Sequence, residues 1–157
     1  MNSNLEDRVA VLETVYKYAQ GLDTRDWLLY RSIFTDEIDV DFSGYNGVPG
    51  ERMSADRWIA QIKPLFTGIS ATQHIMTNPI VEFSEKGAVC RMYIQAEHFL
   101  ASGEGFAIGG YYTDRLVRQK GQWRISAIKL TVFWRRGNAD IMNKAIENFA
   151  ALMAAKK

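Results

Sequence analysis

The sequence predicts a cone-shaped α+β fold: N-terminal helices packed into a strongly curved, mixed or antiparallel sheet, with a C-terminal helix. Three patterns carry that reading. Apolar residues recur at helical spacing near the start, alternation runs with few breaks from Gly68 to Arg136, and a second helical pattern follows Gly137. At 157 residues and 47% hydrophobic content, the chain is sized for one domain over 1–157 whose core needs neither disulfide nor metal.

Leu5, Val9, Leu12, Tyr16 and Ala19 follow one another at spacings of four and three, the stripe of an amphipathic helix. Gly21 is the expected end of that helix, and Asp23 falls where the stripe would continue, so its carboxylate is expected to point inward. Residues 26–34 read as a short helix with Trp27, Tyr30, Ile33 and Phe34 on its buried face and Asp23 or Thr24 as its cap. Ile38, Val40 and Phe42 alternate with acids as a strand does. The stretch from Ser43 to Gly50 is so rich in turn formers that a mobile loop is expected. Ser54 caps a third helix carrying Trp58, Ile62 and Phe66, disturbed near Pro64.

Four long strands follow. Gly87 separates the first two, Ser102-Gly103-Glu104-Gly105 turns the chain again, and Lys120-Gly121-Gln122 makes the last hairpin. On the final strand Trp123 and Ile125 share one parity while Ile128, Leu130 and Val132 share the other, which calls for a bulge near Ala127. Gly109-Gly110 reads as a strand kink, because no helix start follows to make it a phosphate loop. Asn138 is the expected cap of the last helix, where Ile141, Ala145, Asn148 and Leu152 share one side.

Composition excludes several function classes. Nineteen basic residues against eighteen acidic ones give a charge of +1, with no basic block for nucleic acid or a membrane surface. The only cysteine, Cys90, has no partner for a disulfide, the N-terminus reads as no signal peptide, and a reducing, cytoplasmic setting is expected. Two histidines and one cysteine are too few for a histidine- or thiolate-rich metal site, and no cofactor is expected.

A sheet curled around helices leaves a pocket at its open end, and a few residues are placed to work there. Thr72, His74 and Met76 share one strand face; an imidazole exchanges protons near neutral pH when a carboxylate fixes its tautomer, and Asp23 is the candidate orienter. The same spacing fits a hydrogen-bonded core histidine. His98 lies on an apolar strand face with Ala88, Cys90, Met92, Ile94 and Ala96, so both histidines are expected to point inward. Tyr18, a turn before Asp23, is a candidate oxyanion donor, while Tyr16 is expected to pack structurally. Tyr111 and Tyr112 point to opposite faces; one of them lines the pocket, and Tyr112 is the candidate. Phe42, Tyr45, Trp58, Phe66 and Met76 are candidates for an apolar mouth. The bulge leaves the direction of Lys129 open, and it stands as a candidate cation for substrate. Arg135 and Arg136 read as a solvated pair.

Tyr18-Ala19-Gln20-Gly21-Leu22-Asp23 with Trp27 and Phe34, Thr72-Gln73-His74 with Asn78, Gly109-Gly110-Tyr111-Tyr112-Thr113-Asp114 and Trp123-Arg124-Ile125 together resemble the SnoaL-like branch of the nuclear-transport-factor-2-like superfamily. The likeness spans nearly the whole chain and is greatest to scytalone dehydratase, the bile-acid dehydratase and the lindane dehydrochlorinase. It implies proton abstraction by His74, oriented by Asp23, with loss of water or halide from the next carbon. Tyr18 then stands at a catalytic tyrosine position and His98 at that of a second histidine.

The expected function is a cofactor-independent, dehydratase-like lyase acting on a small apolar cyclic or aromatic molecule, with a homodimer or homotrimer implied by the resemblance. One alternative is ketosteroid-isomerase- or polyketide-cyclase-like chemistry with Asp41 as base. Another is a ligand-binding module without turnover.

Overall fold

The computed structural model describes residues 3–155. Helices α1 (Ser3–Thr24) and α2 (Trp27–Ser32) lead into strand β1 (Phe34–Asp41). A one-turn helix α3 (Ser43–Asn46) and a short strand β2 (Glu51–Ser54) then precede α4 (Ala55–Gly68). Strands β3 (Ala71–Ser84), β4 (Gly87–Phe99), β5 (Gly105–Gln119) and β6 (Gln122–Gly137) form a meander, and α5 (Ile141–Ala154) follows. The six strands make one curved sheet in the order β2-β1-β6-β5-β4-β3. It is mixed: β1 runs parallel to β6, and every other neighbouring pair is antiparallel. No helix among the described residues is long and apolar enough to cross a membrane.

The buried side of α1 is Val11, Val15, Tyr18 and Leu22, whereas Leu5 is 67% exposed, Val9 49% and Tyr16 41%. Of the expected stripe Leu12 packs against the core, but Leu5, Val9 and Tyr16 face solvent, so the buried face is rotated from the one the spacing predicts. Both sets recur at helical period, and periodicity alone does not say which one meets the sheet. The helix also runs past Gly21, whose lack of a side chain lets α2 approach: a Cβ there would stand 2.9 Å from the Tyr30 Cβ. The chain instead leaves the helix at Arg25, which adopts a left-handed φ of 57°.

Asp26, not Asp23 or Thr24, caps α2, accepting from the Leu29 amide at 2.9 Å. Phe34 opens β1. The expected loop from Ser43 to Gly50 holds α3, and β2 follows it; both are set by tertiary contacts, β2 by pairing with β1 and α3 by Arg135, which donates to the carbonyls of Gly44 and Tyr45 and lies over the Tyr45 ring. Arg135 is thus an anchor, while Arg136 pairs with Glu97. Ser54 caps α4 as expected, accepting from the Arg57 amide, and α4 continues through Pro64.

The bulge near Ala127 is present, since Arg115 pairs with Ala127 while Leu116 pairs with Ile125, leaving Ser126 extra. A second slip, between Gly109 and Gly110, leaves Phe133 extra. Asp140 rather than Asn138 precedes α5; the Asn138 side chain accepts from the Asp140 amide at 3.0 Å, one step before the helix. α5 buries Ile141 and Ala145 and crosses α4 at Gly68, where Asn148 donates to the Gly68 carbonyl.

Candidate active site

Helices α1 and α4, the first turn of α5 and the concave face of the sheet enclose a cavity of about 190 Å³. Its polar lining is Tyr18, His74, His98, Tyr112 and, at the loop side, Asn46. Phe42, Tyr45, Trp58 and Phe66 supply aromatic wall, joined by Ile62, Leu65, Ile108, Leu130 and Met142, none of which the sequence singled out as lining. A larger groove of about 710 Å³ lies elsewhere on the surface, among Asp36, Asp39, Arg52, Lys86 and Arg115. It is open and shares no residue with the chemistry-bearing group, so its size does not make it the site.

Asp23, in the last turn of α1, reaches β3. Its Oδ1 lies 2.7 Å from His74 Nδ1 and accepts from Thr72 Oγ1 at 2.8 Å, while Oδ2 accepts from the His74 amide at 2.8 Å. Burial works against the charge on Asp23, but the bonds from His74 and Thr72 and the attraction of the imidazole outweigh it and hold the carboxyl below its usual range. Asp23 is therefore an anion, and His74 Nδ1 carries the proton between them. The ring is nearly buried, lines the cavity, and keeps Nε2 for it.

His98 stands 5.5 Å from His74, ring to ring and edge-on. Its Nδ1 is 3.3 Å from the Phe106 carbonyl, which only accepts, so the proton sits on Nδ1 and Nε2 carries a lone pair. Burial, and then the neighbouring His74, push His98 down to about 4. At neutral pH it is an acceptor.

Across the cavity the hydroxyls of Tyr18 and Tyr112 are 3.3 Å apart. Burial raises both well above the ordinary phenol range, so both remain protonated donors. Behind them Trp58 Nε1 donates to the Tyr30 hydroxyl at 3.1 Å, and the Tyr30 ring lies 5.1 Å from that of Tyr18.

Three candidates fall outside the lining: Asp23, which stands behind His74, and Lys129 and Met76. Lys129 is 57% exposed and bonds to Asp41 Oδ2 at 2.9 Å, because the bulge at Ser126 turns its side chain outward. Met76 is half-buried and packs against the core without reaching the cavity. Asp41 is also excluded as an internal base: bonds from the Ser43 hydroxyl, from Lys129 and from the Ser43 amide pull it down to about 2.

The sequence reading missed Arg25 and gave no role to Asp114. Arg25 donates to the backbone and to Thr72 beside the pair. Asp114 is 1% exposed with no hydrogen-bond partner for either oxygen among the described residues, and burial pushes its carboxyl well above the usual range. Alternation on β5 placed Asp114 on the same face as Tyr112, and that was the available signal.

Residues 3–129 match the SnoaL-like domain family. The chain belongs to that family. A dehydratase of Pestalotiopsis microspora is 27% identical over 149 residues, covering 87% of this chain and 93% of that one. A solved structure of a Kribbella flavida protein superposes with a TM-score of 0.81 at 26% identity, covering 90% of this chain and 98% of the other. The hexachlorocyclohexane dehydrochlorinase of Novosphingobium barchaimii gives a TM-score of 0.72 at 18% identity, covering 87% of this chain and 92% of that one. At 18% the likeness speaks for the fold alone.

Proposed function

We propose that this SnoaL-like protein is a dehydratase-type lyase in which Asp23 and His74 form the proton-transferring pair. The observation that carries the reading is the 2.7 Å contact between Asp23 Oδ1 and His74 Nδ1, at a ring that lines the cavity. His74 Nε2 removes a proton from a carbon next to a substrate carbonyl, and Asp23 stabilises the imidazolium that results. Tyr18 and Tyr112 donate to the oxygen on which negative charge develops. The C–O bond on the neighbouring carbon then breaks; the departing hydroxide takes the proton back from His74 and leaves as water. The pair ends as it began, and no step draws on a cofactor.

The walls suit a small, neutral, cyclic or aromatic substrate. Among the described residues no lysine, arginine, aspartate or glutamate lines the cavity, and at about 30 Å³ for each water its volume equals that of about six waters. His98 Nε2, held as an acceptor, fits a substrate hydroxyl. The test is turnover of a panel of hydroxylated cyclic ketones, followed by ultraviolet absorbance of the enone formed. His74→Ala and Asp23→Asn are each expected to lower kcat by about 10²–10⁴-fold. Unchanged turnover in both variants would end the proposal.

A homo-oligomer belongs to the same reading. Ile80, Tyr93 and Phe133 expose apolar surface on one face of the sheet, at 60%, 53% and 62%. Light scattering of the wild type against Tyr93→Lys/Phe133→Lys should show loss of a dimer or trimer; a monomeric wild type refutes it.

A further inference from the structure

Arg25 occupies a position that backbone geometry would give to glycine. Its φ of 57° ends α1 in the left-handed region, where a residue without Cβ fits at no steric cost. The side chain supplies the reason for arginine. Its Nη1 donates to the Asp23 carbonyl at 2.5 Å and to Thr72 Oγ1 at 3.3 Å, Nε donates to the Phe66 carbonyl at 3.0 Å, and Nη2 to the Ile69 carbonyl at 3.0 Å. These partners belong to the end of α1, the end of α4 and the start of β3, the segments that carry Asp23, Phe66 and His74.

We infer that Arg25 is a positioning residue for the Asp23–His74 pair, acting through Thr72. The inference rests on the reading of that pair as the proton-transferring unit. A hydroxyl has one proton. By donating to Thr72 Oγ1, Arg25 turns that proton toward Asp23 Oδ1, the oxygen that faces His74 Nδ1. The planar guanidinium reaches three carbonyls and a hydroxyl at once, a set that the point charge of a lysine ammonium does not span. Around the His74 ring stand Asp23 and Tyr18 from α1, Arg25 just beyond it, His98 from β4 and Tyr112 from β5; Arg25 is the permanently charged cation of the group.

The readout is solvent exchange of the His74 Nδ1 proton in the protein without substrate, by nitrogen-15 spectroscopy of the imidazoles. The chain has two histidines, so His98→Gln assigns the spectrum. Arg25→Gly suits the backbone conformation and is expected to keep the wild-type circular dichroism while exchange accelerates about tenfold. Arg25→Lys should fall between Arg25→Gly and wild type. Thr72→Val cuts the same relay while leaving the three carbonyl bonds, and should match Arg25→Gly; the double variant should add little to either.

Wild-type exchange in Arg25→Gly, with the signal altered in Asp23→Asn, overturns the role of Arg25 and leaves the pair standing. Acceleration in Arg25→Gly without any in Thr72→Val marks general loosening and overturns the relay. If Asp23→Asn also leaves the signal unchanged, the pair itself is refuted and the inference falls with it.

Discussion

Asp23 accepts from a ring nitrogen, a backbone amide and a hydroxyl, and the three bonds divide its two oxygens so that neither is free to turn. Asparagine in its place is isosteric but offers one acceptor where the site uses two, and its amide group would face a donor. The expected outcome of Asp23→Asn is a folded protein with a mispositioned or wrongly protonated His74, seen as reduced kcat with KM little changed. Tyr18→Phe removes one oxyanion donor and should cost about 10²–10³-fold in kcat, again without a matching change in KM. Tyr112→Phe tests whether the pair of hydroxyls acts as one, since its effect should not add fully to that of Tyr18→Phe. His74 was legible because a histidine on an alternating strand reports direction, whereas Asp23 was expected inward from a stripe that largely faces solvent, and it reaches His74 from the last turn of a helix that runs on to Thr24. Lys129 was not legible: a single extra residue at Ser126 turns the parity of everything after it. Arg25 was illegible for another reason. A long side chain bonding to carbonyls from 41 to 44 residues away leaves no mark on local pattern.

Among the elements, the four long strands and their turns were readable because alternation and glycine punctuation extend over many residues and agree. Short elements fared worse. α3 and β2 depend on Arg135 and on pairing with β1, contacts that arise only when the fold is complete. The junction of α4 with α5 shows how closely such contacts are fitted. A Cβ on Gly68 would stand 1.7 Å from the Ala145 carbonyl oxygen, a backbone atom with no freedom to withdraw. Gly68→Ala must therefore push α5 away and is expected to destabilise by about 1–3 kcal/mol, the range for overpacking. Because Met142 in the first turn of α5 lines the cavity, the same shift should open its mouth. Denaturant unfolding measures the first effect. Faster acrylamide quenching of tryptophan fluorescence, with Trp58 in the wall, reports the second.

At the scale of the molecule, two buried groups act on stability in opposite directions of pH. His98 is held at about 4 against an ordinary 6.5. Between those values the unfolded chain binds a proton that the folded one refuses, so stability falls as pH drops from about 6.5 toward 4, by up to about 3 kcal/mol. Asp114 has the reverse sign. Its folded pKa is raised by burial, so the folded chain keeps a proton that the unfolded chain releases above about 3.9. Its favourable contribution is complete below that value and is lost as pH rises toward the folded pKa. Thermal unfolding across pH should separate the two. His98→Gln is expected to flatten the acid limb between pH 4 and 6.5. Asp114→Asn, neutral at every pH, should match the wild type near pH 4 and exceed it increasingly as pH rises. A constant gap between Asp114→Asn and wild type over that range would mean that Asp114 is not held protonated in the folded protein. Alternation along β5 puts Asp114 on the face it shares with Tyr112, a signal the sequence offered and that went unused. What the sequence could not show is that none of the described residues that fold around Asp114 offers a hydrogen bond, and that leaves a fully buried carboxyl to stay neutral.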